Sequence, residues 1–185
     1  MRNREFDIAI VGGGIVGIAT AFKLQSSFNE LRIVVFEKED ELAFHQTGRN
    51  SGVIHSGLYY KPGSYKAINC IKGREQLIQF AKENNVDFDI CGKIVVAINK
   101  EEVIRLEKLK INGEKNGLKG MKLLEQSEFK KIEPFVEGLK ALWVPQSGII
   151  DYKDVTKKLA GKIRFINSNS QIITGCEVLN YNDKI

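Results

Sequence analysis

The chain has 185 residues, of which 43% are hydrophobic, 28% are charged and only 3 are prolines. This composition excludes the disordered, collagen-like and low-complexity classes, and no apolar run approaches the ~20 residues of a membrane-spanning helix. The net charge of +5 comes from basic residues interleaved with acidic ones, which disfavours nucleic-acid binding. The cysteines at 70, 91 and 176 form no CxxC pair, so we expect neither a metal site nor a disulfide framework.

The first elements predicted along the chain form one βαβ unit. Residues 6–11 and 31–36 are short and rich in β-branched side chains, which predicts two buried parallel strands. Residues 15–27 between them predict a helix, and glycines fill the turn before it. A right-handed crossover is expected for such a unit.

The remaining elements follow a long segment, residues 38–62, that has little periodicity. A loop of that length in a compact domain is usually functional. Beyond it, strands are predicted at 88–90, 93–98, 121–124 and 139–144, with a strand pair or bent strand at 171–181. Helices are predicted at 64–84 (with Ser64 as N-cap), 101–115, 127–132 and 152–163.

The glycine turn has the spacing GxGxxG between a strand and a helix, and Glu37 follows at the end of the second strand. In that context the glycines form the turn, admit a pyrophosphate and pack helix on strand, while the acid accepts ribose hydroxyls. The acid also disfavours a 2′-phosphate ligand such as NADP. The alternative is a glycine-rich turn in an unrelated α/β domain. The cofactor-binding residues predicted here are Gly12, Gly14, Ile15, Gly17, Glu37 and Lys38.

The segment 45–60 bears on the choice between NAD and FAD, which the glycine pattern leaves open. It offers hydroxyl and amide side chains, glycines that permit close backbone approach, and both histidines of the chain. These features suit a ring system held by backbone bonds to its polar edge.

With these residues in place, the sequence resembles L-2-hydroxyglutarate oxidases and dehydrogenases of the FAD-dependent D-amino-acid-oxidase-like superfamily. Residues 8–60, 60–63, 91–93 and 148–152 carry the resemblance, which covers essentially the whole chain. It implies FAD, with the pyrophosphate over residues 12–17 and the adenosine ribose on Glu37. It also implies further cofactor-binding residues: Thr47 and Gly48 near the pyrophosphate, Asn50, Ser51, Gly52 and Val53 beside the isoalloxazine, and Val178 on a strand whose backbone meets adenine.

The fold expected from this resemblance is α/β: a Rossmann-like FAD-binding domain with an inserted strand-rich substrate, or cap, region. The FAD-binding domain is expected at residues 1–87 and 148–185, and the cap region at 88–147. Proteins that the sequence resembles are substantially longer. We therefore expect an N-terminal part, incomplete at its C-terminus, with weak or absent FAD retention and no turnover by itself.

The reaction implied is oxidation of L-2-hydroxyglutarate to 2-oxoglutarate, with hydride passing from the α-carbon to flavin N5. His55 is the candidate general base, or else a histidine that orders the flavin loop, whereas His45 is expected to be structural. Candidate ligands for the dicarboxylate are Arg49, Lys61, Tyr59 and Tyr60, although such side chains are more often solvated or packed.

Other functions remain open. They are a related flavin enzyme acting on glycerol 3-phosphate or on an amino acid or amine, a non-catalytic dinucleotide-binding module, and an NAD-dependent dehydrogenase. The expected partners are a 2-hydroxy dicarboxylate and, as electron acceptor, oxygen or a quinone. No signal-peptide layout precedes the first strand, so a cytoplasmic protein is expected, with peripheral contact to the inner membrane as the alternative.

Overall fold

The structure, a computed structural model, describes residues 5–182. Its strands are β1 (Ile8–Val11), β2 (Ile33–Phe36), β3 (Val53–Ile54), β4 (Phe88–Asp89), β5 (Lys93–Ala97), β6 (Lys122–Glu125), β7 (Lys140–Val144), β8 (Gly148–Ile150) and β9 (Gln171–Ile173). Its helices are α1 (Ile15–Ser27), α2 (Tyr65–Asn84), α3 (Lys100–Lys115), α4 (Gln126–Phe129) and α5 (Tyr152–Ile166). Over residues 5–182, no helix combines the length and apolarity that crossing a membrane requires.

Every predicted helix is present, and Ser64 caps α2 by accepting a hydrogen bond from the backbone of Ala67. Two short strands, β3 and β8, were not predicted, because two or three residues are too few to show a period. The strand pair or bent strand predicted at 171–181 is wrong beyond Ile173, where β9 ends. There the backbone turns at Gly175, whose φ is +63°, and Val178 lies in non-repetitive structure.

The chain divides into two compact units. The first contains residues 5–51 and 151–182 of the described range, and the second is Gly52–Ile150. The predicted domain boundaries lay instead near 87 and 147. Residues 52–87 fall in the second unit because β3 and β4 both pair with β8. The assignment of cofactor and cap roles to domains stays a prediction.

The first unit is a parallel sheet with the order β1-β2-β9. Strand β2 is central, and its residues Ile33, Val34 and Val35 are almost fully buried, as expected for a parallel strand. Helices α1 and α5 pack against each other. Because β1 and β2 are neighbouring parallel strands, the turn after β1 lies beside the end of β2.

The second unit contains two antiparallel sheets, with the orders β3-β8-β4 and β5-β7-β6. Helix α3 packs on β5 and β7. One core cluster joins Leu58 of the loop after β3 to Leu106 of α3 and Leu142 of β7. Burial of Leu58 thus anchors the loop that carries His55.

Candidate functional site

The glycine turn after β1 has the geometry that its spacing predicted. Gly12 has φ +108°, a conformation that favours glycine, and its N–H donates to the Phe36 carbonyl at 2.7 Å. A Cβ at Gly17 would overlap the carbonyl oxygen of Gly12, so α1 packs against the turn with no room for a side chain. At Gly14 a Cβ would lie 3.2 Å from the Thr47 hydroxyl. These glycines leave the turn as bare backbone.

Helix α1 begins directly after this turn. Its N-cap, Gly14, offers no side chain to the first turn, and residues 15–18 include no acidic side chain. The Thr47 hydroxyl accepts a hydrogen bond from the Ile15 N–H at 3.0 Å. Neither the N-cap nor the first turn of α1 supplies a carboxylate of its own, so the positive end of the helix dipole can attract an anionic ligand.

Glu37 closes the turn from the end of β2 and is buried. Its Oε2 accepts from the Gly13 N–H at 2.6 Å, and its Oε1 accepts from the Glu39 N–H at 3.0 Å. An ionised carboxylate can accept about four hydrogen bonds, so capacity for a ribose diol remains. The neighbouring Lys38 is exposed, with its ammonium 3.6 Å from Glu39 Oε1.

The predicted pyrophosphate residues of the loop lie on a tight turn. Gly48 N–H donates to the His45 carbonyl at 3.0 Å, and a Cβ at Gly48 would overlap the Ala43 carbonyl oxygen. Asn50 donates from Nδ2 to the carbonyls of Gln46 and Thr47, at 3.0 and 2.7 Å. The structure therefore brings Thr47 to the glycine turn and holds Asn50 on the same loop. Ser51, the next residue, is exposed.

Other side chains of this loop contact one another. His45 Nε2 lies 2.7 Å from Glu39 Oε1, and this hydrogen bond is the main cause that lowers the pKa of Glu39. The guanidinium of Arg49 lies over the Phe44 ring, 4.5 Å from its centroid. These contacts give His45 and Arg49 local structural partners.

Gly52 and Val53, the other predicted flavin residues, belong to the second unit. Gly52 has φ +66°, and a Cβ there would lie 2.8 Å from the Ile150 carbonyl oxygen. Val53 pairs with Ile149 in the antiparallel ladder of β3 and β8. Close pairing of the two backbones explains why a glycine precedes β3.

Val178 lies on the irregular segment after β9 in the first unit. Together with residues of β1, β2 and the segment 176–181 it lines a cavity of about 850 Å³. The cavity contains the exposed side chain of Val11 and the ring of Phe36 at the carboxyl ends of their strands. Ligands of open parallel sheets bind beyond those ends. The contact of Val178 with adenine stays a prediction.

The second unit places His55 immediately after β3. Its ring is exposed and makes no hydrogen bond within residues 5–182, while its carbonyl oxygen accepts from the Cys70 thiol at 3.5 Å. A cavity of about 90 Å³ is lined by residues 55–60 and by Lys93. Of the candidate substrate ligands, Tyr59 and Tyr60 line this cavity, whereas Lys61 is exposed and does not.

Two residues that line this cavity, and a third that holds its loop, were not among the predicted site residues. Lys93 lies with Nζ 4.6 Å from the centroid of the Tyr59 ring, and burial lowers the pKa of its ammonium. The buried hydroxyl of Ser56 lacks a hydrogen-bond partner. Asn116 Nδ2 donates to the carbonyls of Gly57 and Tyr60 at 3.1 and 2.8 Å. Of these three residues only Lys93 had a signal in the sequence, since it belongs to the 91–93 motif. The other two make loop contacts, and such contacts leave no periodicity in a sequence.

The first unit fits a dinucleotide. Its bare glycine turn, the N-terminal end of α1 and the buried Glu37 carboxylate supply a pyrophosphate cradle and a ribose acceptor. The fold and site therefore define a Rossmann-type dinucleotide-binding protein.

The comparisons with known proteins give the family. The family model described as DAO, FAD dependent oxidoreductase, matches residues 7–184. The chain belongs to this family of FAD-dependent oxidoreductases, and the prediction of FAD as its cofactor is confirmed.

Similar curated proteins support the same assignment. The chain is 47% identical over 175 residues to "L-2-hydroxyglutarate dehydrogenase" of Indibacter alkaliphilus, covering 95% of this chain and 43% of that protein. It is 45% identical over 174 residues to the mitochondrial L-2-hydroxyglutarate dehydrogenase of Homo sapiens, covering 94% of this chain and 37% of that protein. The chain thus spans about two fifths of the length of these relatives.

Solved structures share the fold. The L-α-glycerophosphate oxidase of Mycoplasma pneumoniae with FAD bound matches with a TM-score of 0.83 at 32% identity, over 95% of this chain and 46% of that one. Glycine oxidase of Geobacillus kaustophilus matches with a TM-score of 0.79 at 21% identity, over 95% of this chain and 48% of that one. The predicted α/β fold and its incomplete extent relative to such proteins are confirmed.

Proposed function

We propose that the protein to which this chain belongs oxidises L-2-hydroxyglutarate to 2-oxoglutarate. The observation that carries this proposal is the 47% identity, over 95% of the chain, to a relative named for that substrate. The described geometry agrees with it in two ways. The first unit has a cradle that fits FAD, and the second has a histidine in the wall of a small cavity.

FAD, when bound, supplies the two-electron acceptor, with flavin N5 receiving the hydride of the substrate α-carbon. The residues of the chain bind the cofactor and the substrate and orient them. The first-turn N–H groups of α1 and the bare turn at Gly12 hold the pyrophosphate, and Glu37 accepts hydrogen bonds from the ribose. The Thr47 hydroxyl, held by the Ile15 N–H, fixes the loop against the turn.

His55 is the proposed proton acceptor. Oxidation of an alcohol to a ketone releases a hydride from carbon and a proton from the hydroxyl oxygen, so a base beside that hydroxyl assists the step. The exposed ring of His55 has both nitrogens unengaged within residues 5–182, so one of them can accept this proton. His45 is already bonded to Glu39 and is a poor candidate for the same role.

The decisive experiment is anaerobic reduction of the flavin in the purified protein, expressed at the full length of its open reading frame. L-2-hydroxyglutarate should bleach the flavin absorbance, and the D-enantiomer should not. A flavin that no hydroxy acid reduces supports a non-catalytic module, and a colourless protein that takes up only nicotinamide cofactors contradicts the proposal.

A His55→Gln variant tests the proton acceptor, with His45→Gln as the matched control. Loss of a general base should slow flavin reduction by about 10²–10⁴-fold while FAD remains bound. The control should reduce its flavin at nearly the wild-type rate. Equal rates for His55→Gln and the wild type would remove His55 from the mechanism.

Oxidation of glycerol 3-phosphate is the second candidate function. It is favoured by the TM-score of 0.83 and the 32% identity to L-α-glycerophosphate oxidase. The same anaerobic assay with glycerol 3-phosphate separates the two, because only one of the compounds should reduce the flavin at micromolar concentration.

We propose oxygen or a quinone as the electron acceptor, and a cytoplasmic location with peripheral contact to the inner membrane as the alternative. Mixing the reduced protein with oxygen or with a soluble quinone, in separate stopped-flow runs, identifies the faster acceptor. Fractionation of cells at low and high salt tests the location, since a peripheral protein is released from membranes by salt.

A further inference from the structure

The cavity in the second unit has the chemistry of an anion site. Lys93 contributes a half-buried ammonium to its wall, and within residues 5–182 no carboxylate forms an ion pair with that lysine. Its ammonium lies against the face of the Tyr59 ring. A cation held partly out of water without an acid is unfavourable unless a ligand of opposite charge arrives.

Ser56 is the second, independent observation. Only 2% of the residue is exposed, and its hydroxyl has no hydrogen-bond partner although it belongs to the cavity wall. Buried hydroxyls are almost always bonded. Because Ser56 and Lys93 line the same cavity, an anionic acceptor group bound there can serve both of them.

The size of the cavity limits what enters it. Its volume of about 90 Å³ exceeds the ~10–15 Å³ that a single water needs, so a small polar group such as a carboxylate can enter it. The loop that forms it is rigidly held, since Leu58 is buried in the core and Asn116 donates to the carbonyls of Gly57 and Tyr60. The cavity is therefore preformed.

We propose that Lys93 and Ser56 bind one carboxylate of the hydroxy-acid substrate in this cavity, whose wall also includes His55. The proposal rests on the proposed function for the identity of the substrate and makes Lys93 a substrate-binding residue. Lys93 is positioned by Gly92, whose φ is +73° and at which a Cβ would collide with the Trp143 ring. Trp143 lies on β7, and β7 pairs with β5, which begins at Lys93.

The test uses the flavin-loaded protein expressed at the full length of its open reading frame, with the variants Lys93→Met and Lys93→Arg. Lys122→Met, which removes an exposed lysine of β6, is the matched control. Loss of the ammonium should raise KM for L-2-hydroxyglutarate by about tenfold or more, the equivalent of ~1.4 kcal/mol, with kcat changed far less. Lys93→Arg should recover part of the loss.

A second substrate identifies which carboxylate is bound. L-2-hydroxyvalerate has the same five carbons but lacks the distal carboxylate. If the cavity holds the distal group, Lys93→Met should lose efficiency only with L-2-hydroxyglutarate. If it holds the α-carboxylate, both substrates should lose efficiency alike. A KM within twofold of the wild type for both substrates overturns the proposal.

Binding of glutarate, a dicarboxylate that cannot be oxidised in the same way, gives a readout that does not require turnover. Calorimetric titration should show about tenfold weaker binding to Lys93→Met than to the wild type or to Lys122→Met. If the wild-type flavin is not reduced by L-2-hydroxyglutarate, the proposed function fails, yet this titration still decides the anion site. Equal glutarate affinities overturn it.

Ser56→Ala separates a ligand-binding hydroxyl from a structural one. Since the hydroxyl has no partner in the structure, its removal should leave the melting temperature unchanged or slightly higher, while glutarate binding weakens several-fold. A lower melting temperature with unchanged glutarate binding would assign the hydroxyl to folding and contradict its place in the site.

Discussion

The two units build their candidate sites from different parts of the chain. In the first, the site is backbone: glycines that present no side chain, the N-terminal end of a helix, and one carboxylate already bonded to the turn. In the second, the site is made of side chains on one loop and one strand, with an unbonded hydroxyl and an unpaired ammonium. A backbone site tolerates almost no added atom, whereas a side-chain site tolerates substitution but loses its chemistry.

The largest effect should come from Gly17→Ala in the first unit. The new Cβ would overlap the Gly12 carbonyl oxygen, so either α1 or the turn must shift, at about 3 kcal/mol of unfolding free energy and with loss of FAD binding. Chemical denaturation and flavin fluorescence measure both.

Gly161→Ala is the matched control, because Gly161 lies on α5 with no atom within 4 Å of an added Cβ. That exchange should stabilise the protein by roughly 0.5–1 kcal/mol. Similar denaturation midpoints for the two variants would show that the turn after β1 is not as tightly packed as described.

Asn116→Asp is the corresponding change in the second unit. The new carboxylate cannot donate, so the buried carbonyls of Gly57 and Tyr60 lose their partner, and we expect a loss of about 2–3 kcal/mol of unfolding free energy. Asn112→Asp, near the same end of α3, controls for the added charge, since its side chain makes no hydrogen bond within residues 5–182. If both variants lose the same unfolding free energy, the added charge explains the effect and the lost hydrogen bonds do not.

Glu37→Gln tests whether the first site depends on one side chain as well as on backbone. The amide has a single acceptor oxygen, so it cannot accept from Gly13 and Glu39 and also serve a ribose. FAD should bind about tenfold more weakly, as measured by titration of the apoprotein. Glu30→Gln, an exposed exchange in the loop before β2, should leave the FAD affinity unchanged. If Glu37→Gln binds FAD with unaltered affinity, the first site depends on backbone groups alone.

The smallest effect should come from the ion pair at the start of the sheet. Hydrogen bonds from the side chain and backbone of Arg32 lower the pKa of Asp7 from an ordinary 3.8 to about 2. Because the folded pKa is lowered, the pair stabilises the protein above about pH 4 and loses this contribution as the pH falls through 2.

The urea midpoint of Asp7→Asn should therefore lie slightly below that of the wild type at pH 7 and coincide with it near pH 2. Asp40→Asn, an exposed carboxyl of the same unit, is the control and should show a smaller difference at pH 7. A difference for Asp7→Asn that persists at pH 2 would contradict a role for its ionised form.

The difference between the backbone site and the side-chain site also explains which of the two could be predicted from the sequence. The pyrophosphate cradle is built from residues that lie close along the chain: the turn at Gly12, its packing partner Gly17 and the acid Glu37. Their spacing in the sequence is therefore enough to predict it. Ser56, Lys93 and Asn116 come from distant positions, and they meet only because β5 and α3 pack around the loop that Leu58 anchors. A contact between residues so far apart in the chain leaves no local hydrophobic periodicity in the sequence.

The end of the described chain shows the same limit. The sequence predicted a strand pair or a bent strand at 171–181, and pairing with β2 confirms a strand as far as Ile173. Beyond that, Gly175 turns the backbone, and its N–H and that of Cys176 donate to the carbonyls of Glu39 and Glu37. Propensity alone could not show where the neighbouring strand stops supplying partners.

The sequence by itself determined the βαβ unit, its glycine turn and the acid at Glu37, because local hydrophobic periods and backbone sterics dictate them. The tertiary structure decided the division at residues 51 and 150, the short strands β3 and β8, and the cavity that joins Ser56 to Lys93. Those features depend on contacts between residues far apart in the chain, and such contacts exist only once the chain has folded.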